Sequence, residues 1–321
     1  MSRPPFDPWQ WQPPQPCRWQ QPAWLIRLDG AGVLRFLHGQ TSQDLERARP
    51  GAVLSTCCIT PTARIRGLAE VLVDASGAWL LITVGEGRAI HQALDRVLFP
   101  ADQVVLVAPQ EARLITVLAA GDWRALGAEP GRGWLLEAPK RVVLRADQPT
   151  PAWLERLPEL AGVDQERWRL QQGEPALPAE INDELNPFEL GLAERVSLSK
   201  GCYVGQETLA KLATYDGVKQ QLRRWAWVPD QAQPAAAAEA PAAGAPLFSA
   251  AGERAGRITS SLELLADGAN PYRLVGLALV RRQFLAEGTL LAGGLPLAIS
   301  TPAGFQAPPV GAGSSVAGRG S

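Results

Sequence analysis

Between residues 52 and 84 the chain passes through three apolar runs, "AVLSTCCIT", "IRGLAEVLVD" and "AWLLITV", joined by only "PTAR" and "ASG". Parallel neighbours need a crossover of a dozen or more residues, and connections this short cannot supply one. The three runs therefore read as an antiparallel meander. "AWLIRL" at residues 23–28 is a strand before it. "QVVLVA", "ARLITVLA" and the two halves of "GWLLEAPKRVVLRAD" are strands after it.

Helical spacing is confined to short stretches. Val33, Leu34, Phe36 and Leu37 suit one helix ending at Gly39, and "SQDLERA" suits a second with Ser42 as its N-cap. Ile90, Leu94, Val97 and Leu98 form a stripe that stops at Pro100. "DWRALG" reads as a short helix closed by Gly127. "TPAWLERLPEL" and "VDQERWRLQQG" are two more, the latter capped by Asp164. The stretch "EPALPAEINDELNPFELGLAERVSLS" is irregular, and a loop of that length inside a compact body is usually functional. Beyond residue 217, "QQLRRWAWV", "GERAGRITSS", "YRLVGLALVRR" and "LPLAIS" are short strands separated by turn residues, the pattern of a small barrel.

The expected fold class is thus α+β. A mixed body spans 23–217 and a C-terminal β-barrel spans 218–301, interrupted by an Ala/Pro-rich insertion at 230–246. An extended Pro, Gln and Trp-rich arm is expected at 1–22, and a disordered tail at 302–321. At 321 residues and 46% hydrophobic the chain can build more than one core. A net charge of −1 lacks the basic footprint of a nucleic-acid binder, which argues against direct nucleic-acid contact. No apolar run reaches a membrane-spanning length, and the N-terminus has no apolar signal core, so a cytoplasmic protein is expected. Four cysteines without a CxxC pair, and only two histidines, give no zinc pattern and no stably bound metal, and suit a reducing compartment.

One of those cysteines stands apart. In "SLSKGCYVGQETLAKL", residues 197–212, Cys202 lies between Gly201 and Tyr203, with Lys200 before it. Gly205, Gln206 and Glu207 follow, where a helix is about to start. A cation and a helix N-terminus both favour a thiolate, and the glycines permit tight backbone beside it. The same position also suits a buried small hydrophobe, and the two readings stand level on physical grounds. Lys200, Gln206 and Glu207 are equally readable as solvated helix-start residues, and Tyr203 as packing. Cys57 and Cys58, in a strand, read as core.

The segment "KGCYVGQE" resembles the signature of the YgfZ-type folate-binding proteins, relatives of the glycine-cleavage T-protein aminomethyltransferase. "FLHGQTSQDL", "TPTARI" and "WRLQQGEPALPAEINDELNPFELGL" resemble further segments of that family in the same order, from about Leu25 to Arg282. The resemblance implies T-protein-like subdomains around a central channel that binds tetrahydrofolate or another reduced folate, plus the C-terminal barrel. It implies a role in making or repairing iron–sulfur enzymes, with those enzymes or cluster-assembly proteins as partners and tRNA modification supported indirectly. Cys202 matches the family's functional cysteine. Gln171 stands where the family has a pterin-gripping glutamate. Arg64, Gln40 and Thr41 are candidate polar groups of the pocket, with Tyr203 beside them and Trp168 placed to stack on a pterin. Arg66 and Gly67 stand where the aminomethyltransferase has its acidic pair, so aminomethyl transfer is expected to be lost. A true aminomethyltransferase, or a folate-binding scaffold without chemistry, are the alternatives.

Overall fold

The computed structural model describes residues 8–118, 121, 134–137, 139–227, 239–265, 273–308 and 310. The expected helix in "DWRALG" and most of the Ala/Pro insertion lie outside them. Strand β1 (Cys17–Asp29) is followed by helix α1 (Val33–Gln40) and the meander β2 (Val53–Ile59), β3 (Ile65–Val73) and β4 (Gly77–Gly85). Then come α2 (Gly87–Asp95), β5 (Val105–Leu106), β6 (Gln110–Leu118), β7 (Trp134–Glu137) and β8 (Lys140–Arg145). Among the described residues these strands form one sheet in the order β2-β3-β4-β1-β6-β8-β7, with β5 also on β1, and every pairing is antiparallel.

Strand β1 starts at Cys17, six residues before the expected strand, so residues 17–22 are sheet rather than a loose arm. They pair with β6 from Cys17↔Leu118 to Pro22↔Arg113. Alternate burial of Cys17, Trp19 and Ala23 supplies the reason. Strand β4 joins β1 only from Trp24 onward, so Pro22 sits where that side of β1 is still an edge, and a missing N–H is tolerated there.

Helix α1 forms as expected, but "SQDLERA" does not. Ser42 is buried; its Oγ donates to Arg195 O at 2.6 Å and accepts from Cys57 N–H at 2.9 Å. Thr41 makes a bridge with Cys58. A serine engaged by the neighbouring strand cannot cap a following turn. Helix α2 ends at Asp95, short of Pro100, and α3 is reduced to Ala152–Glu155. Helix α4 (Gly162–Gln172) has Ala161, not Asp164, at its N-cap; Asp164 lies in the first turn, where the helix dipole favours a carboxylate.

The loop 173–205 leads into α5 (Gln206–Thr214). The remaining strands are β9 (Gln220–Trp227), β10 (Pro246–Phe248), β11 (Arg254–Leu264), β12 (Arg273–Arg281), β13 (Thr289–Ala292) and β14 (Leu295–Ser300). They close into a barrel, β10-β11-β12-β9-β14-β13. Trp225 fills its interior and donates its indole N–H to Leu277 O at 3.1 Å, so the ring is buried without stranding its polar atom.

Body and barrel share a core. Leu222, Ala226, Val275, Leu277 and Leu279 of the barrel pack with Leu170 of α4, Leu209 and Ala213 of α5, and Phe188 of the loop. Each fully buried Leu, Val or Phe among them contributes about 1.5–3 kcal/mol. Residues 302–306, expected to be tail, also pack back: Gln306 N–H donates to Gly191 O at 2.8 Å and Phe305 lies against the shared core. Residues 311–321 lie outside the described set. Among the described residues no helix is long and apolar enough to cross a membrane.

Candidate functional site

The sheet's concave face, the loop 173–205 and the segment 302–306 enclose a cavity of about 660 Å³. Leu68 and Glu70 from β3, Leu114 and Thr116 from β6, and Arg141 from β8 line it. Trp168 and Gln172 of α4, with Phe305, complete its walls.

Glu70 is the most enclosed polar group there, 1% exposed. Ser55 Oγ donates to it at 2.6 Å, and Arg141 Nη2 and Arg195 Nη2 each lie 3.3 Å from its Oε1. Arg195 also donates to Ala69 O at 3.2 Å. Two guanidiniums on one carboxylate leave donors to spare, and Arg141 Nε is buried with no partner.

Glu174, an exposed residue, is a further carboxylate at the cavity wall. Gly173, at φ +73°, ends α4 in the left-handed conformation, and Glu174 N–H donates to Arg169 O at 3.1 Å. Arg169 Nη1 donates to Glu174 O at 2.6 Å, and Arg169 is itself held by Glu166 and by Ser260 Oγ at 2.9 Å. The backbone is thus fixed while the side chain opens into the cavity. Desolvation by the surrounding protein raises its pKa, against the pull of Arg141, Arg169 and Arg195.

The cysteine motif lies elsewhere. Cys202 is exposed, whereas Cys17, Cys57 and Cys58 are buried, and burial pushes Cys57 and Cys58 up to about 11 and about 12. Cys202 does not line the cavity. Gly205 must be glycine: at φ +81° an added Cβ would stand 2.9 Å from Thr60 O. Gln206 is the first residue of α5, as expected; its side chain donates to Lys200 O at 3.4 Å, and Glu207 pairs with Lys211 on the surface. Gly201 meets only His38 Nε2, at 4.0 Å, so no backbone demand explains it. His38 Nδ1 lies 3.2 Å from Asp44.

Lys200 is not the solvated cation that the sequence suggests. Its ammonium donates to the carbonyls of His38 (2.5 Å), Thr41 (2.7 Å) and Gln43 (2.8 Å), and stands 4.1 Å above the Tyr203 ring. These carbonyls lie at and beyond the end of α1, where helical acceptors run out of internal donors. Lys200 is a clip between the motif and α1. Burial pushes it down to about 7, with Asp44 opposing. Tyr203 is a packing residue: its ring is buried in the shared core, away from the cavity.

Four further candidates, Gln171, Gln40, Thr41 and Arg64, do not line this cavity. The Gln171 amide N–H donates to Trp11 O at 3.0 Å and its Oε1 is buried without a partner, while its neighbour Gln172 lines the wall. Trp11 is fixed there by the Arg167 guanidinium above its ring and by edge contact with Trp168. Thr41 is fully buried with its Oγ1 bonded to Leu37 O, and Arg64 binds Glu184 O and pairs with Glu189. Gln40, Thr41 and Arg64 are all absent from the cavity lining; Trp168 is in it. The sequence reading missed Glu70, Arg141, Glu174 and Arg195. The signal for Glu70 was a single acid within the apolar run "GLAEVLV". Gly67 points the other way, toward Ile90 of α2, so the acid of this strand sits at 70 rather than at 67.

The cavity wall at 302–306 rests on glycines. An Ala at Gly191, where φ is +74°, would place its Cβ 2.2 Å from the Phe305 ring. Gly191→Ala is expected to cost about 1–3 kcal/mol in urea unfolding and to expose residues 302–306 to limited proteolysis.

No family model matches the chain. It is 31% identical to the Arabidopsis thaliana protein "Putative transferase At1g60990, chloroplastic" over 229 residues, 61% of this chain and 52% of that protein. The chain therefore spans about half the length of that relative. It is 24% identical to an uncharacterized protein of Haemophilus influenzae over 211 residues, 61% of this chain and 68% of that protein. The crystal structure of glycine cleavage system aminomethyltransferase T from Bartonella henselae superposes with a TM-score of 0.67 over 92% of this chain and 86% of that one, at 16% identity. The half-barrel sheet and the closed six-stranded barrel are together the aminomethyltransferase T-protein fold.

Proposed function

We propose that this chain is a YgfZ-type folate-binding factor that supports the synthesis or repair of iron–sulfur enzymes through the Cys202 thiol. The observation that carries this reading is the exposure of Cys202, alone among four cysteines, on a loop clamped by Lys200 and Gly205. A structural cysteine is buried and inert, whereas a working thiol needs access and a rigid mount. One cysteine cannot hold a cluster, so a cluster contact would be shared with an iron–sulfur enzyme or an assembly protein as partner. Support for tRNA modification then runs indirectly, through such a client enzyme.

Tetrahydrofolate, or another reduced folate, is the cofactor this reading assigns to the cavity. The residues fit it: the volume is in the range of small-molecule sites, Trp168 and Phe305 give flat apolar walls, and Arg141 Nε and the Glu174 carboxylate are polar groups without protein partners there. Arg141 would serve an acidic tail and the carboxylate a donor-rich ring. Titration calorimetry with tetrahydrofolate is expected to show micromolar or tighter binding; no heat at millimolar ligand would remove the folate half of the proposal.

Aminomethyl transfer is the second reading, favoured by one observation. Strand β3 carries a buried cavity carboxylate, Glu70, although Arg66 and Gly67 replace the acidic pair expected nearby. Against it, Glu70 is already neutralised by two arginines. Ammonia and methylene-folate release from an aminomethyl-loaded lipoyl carrier would decide for transfer.

A further inference from the structure

Beside the Cys202 loop stands a histidine with one end committed and the other free. His38, near the C-terminal end of α1, is 8% exposed. Its Nδ1 accepts the Leu45 N–H at 3.4 Å and lies 3.2 Å from Asp44 Oδ1. Its Nε2 has no hydrogen-bond partner among the described residues, and it faces Gly201, where an added Cβ would stand 4.0 Å away. An idle polar atom on a side chain so enclosed calls for an explanation.

The backbone holds the two segments together. Lys200 Nζ donates to His38 O, and Val204 N–H donates to Gly39 O at 3.0 Å, so residues 200–204 lie along residues 38–39. Consecutive Cα atoms are about 3.8 Å apart, so Cys202 is mounted one residue beyond the point that the imidazole faces.

The committed end fixes the proton on the free one. Which ring nitrogen carries hydrogen follows from the bond that the other makes. With Nδ1 accepting from Leu45, neutral His38 carries its hydrogen on Nε2. With Nδ1 protonated beside Asp44, the imidazolium carries hydrogen on both nitrogens. In either state Nε2 is a donor turned toward the motif, and a sulfur anion is an acceptor for it. Glycine at 201 leaves that line open, which gives Gly201 a role that backbone conformation does not.

We propose that His38 is a positioning residue for Cys202, its Nε2–H donating to the sulfur once the thiol has released its proton to solvent. The proposal rests on the reading of Cys202 as the working group. The other charged groups of this region are Asp44 after α1, Lys200 of the motif, and Glu207 of α5, which is paired with Lys211.

The test is the rate of iodoacetamide labelling of Cys202 against pH, read by peptide mass on the full chain, with melting to verify folding. His38→Phe keeps a ring and removes the donor. It is expected to slow labelling at pH 7 about threefold and to raise the pH at which the rate reaches half its plateau. His38→Gln keeps an N–H near the Nε2 position and is expected to restore the wild-type profile. Gly201→Val, at an exposed position, is expected to move the half-plateau pH upward like His38→Phe, and carries the test should His38→Phe melt early. Lys200 is present in every variant, so differences among the profiles report His38. An unmoved half-plateau pH in His38→Phe and Gly201→Val would overturn the proposal and leave the Cys202 reading to complementation. Equal displacement in His38→Phe and His38→Gln would make His38 a packing residue and overturn it too. Displacement with rescue, together with full complementation by Cys202→Ala, would uphold the pairing and sink the iron–sulfur role.

Discussion

Cys202→Ala is expected to abolish the recovery of iron–sulfur enzyme activity in a strain lacking its own homologue, while melting within about 1 °C of wild type. The two halves of this expectation come from the same fact. The thiol is exposed, so its removal strips no core contact, and substitutions at such positions usually fall within about 0.5 kcal/mol. Loss of function with unchanged stability would mark the sulfur as chemistry rather than packing. Cys202→Ser sharpens the test, because it keeps size and polarity but not thiolate nucleophilicity or metal affinity. Brief alkylation should label Cys202 ahead of the buried Cys17, Cys57 and Cys58, as read by peptide mass. Full complementation by Cys202→Ala would leave a scaffold without thiol chemistry.

Lys200→Met should be the costliest single change in the motif, about 3 kcal/mol in denaturant unfolding. Three carbonyls converge on the ammonium, and an acceptor left buried without a donor costs roughly 1–3 kcal/mol. Arg is expected to rescue only in part, since its planar fork cannot converge on three acceptors at one point. The pH dependence has a defined sign. Lys200 is pushed down to about 7 by burial, while an unfolded lysine titrates near ~10.4. Between those values the unfolded chain holds more protons, so this residue's contribution to stability rises with pH and is lowest at pH 7 and below. The gap between wild type and Lys200→Met should widen from pH 7 to about pH 9. A loss under about 1 kcal/mol would mean that the clip bears no load, and a gap that narrows would mean that the three carbonyls hold the ammonium charged against the push of burial.

The first expectation concerns a residue that stood out in the chain; the second concerns one whose contacts did not. Cys202 stood out by its neighbours, and the start of α5 at Gln206 followed from Gly205 and the acidic first turn. Lys200 carried no local mark of burial, because its acceptors lie 157 to 162 residues away. Ser42 misled for the same reason: as a helix cap it is plausible, but it is bonded to Arg195, 153 residues on. Gln171 stood out by its position in a motif, but the partner of its amide N–H, Trp11, lies 160 residues earlier.

The chain by itself determined most of its strands and helices and the barrel that follows the body, and it singled out Cys202, because side-chain alternation, turn residues and motif spacing act within a few residues. The tertiary structure decided which polar groups share a space. Glu70 meets Arg195 across 125 residues and Arg141 across 71, and Glu174 opens into the same cavity only because Gly173 turns the chain there. Charge balance in a buried space depends on what folding brings together, and nothing in local periodicity carries that information.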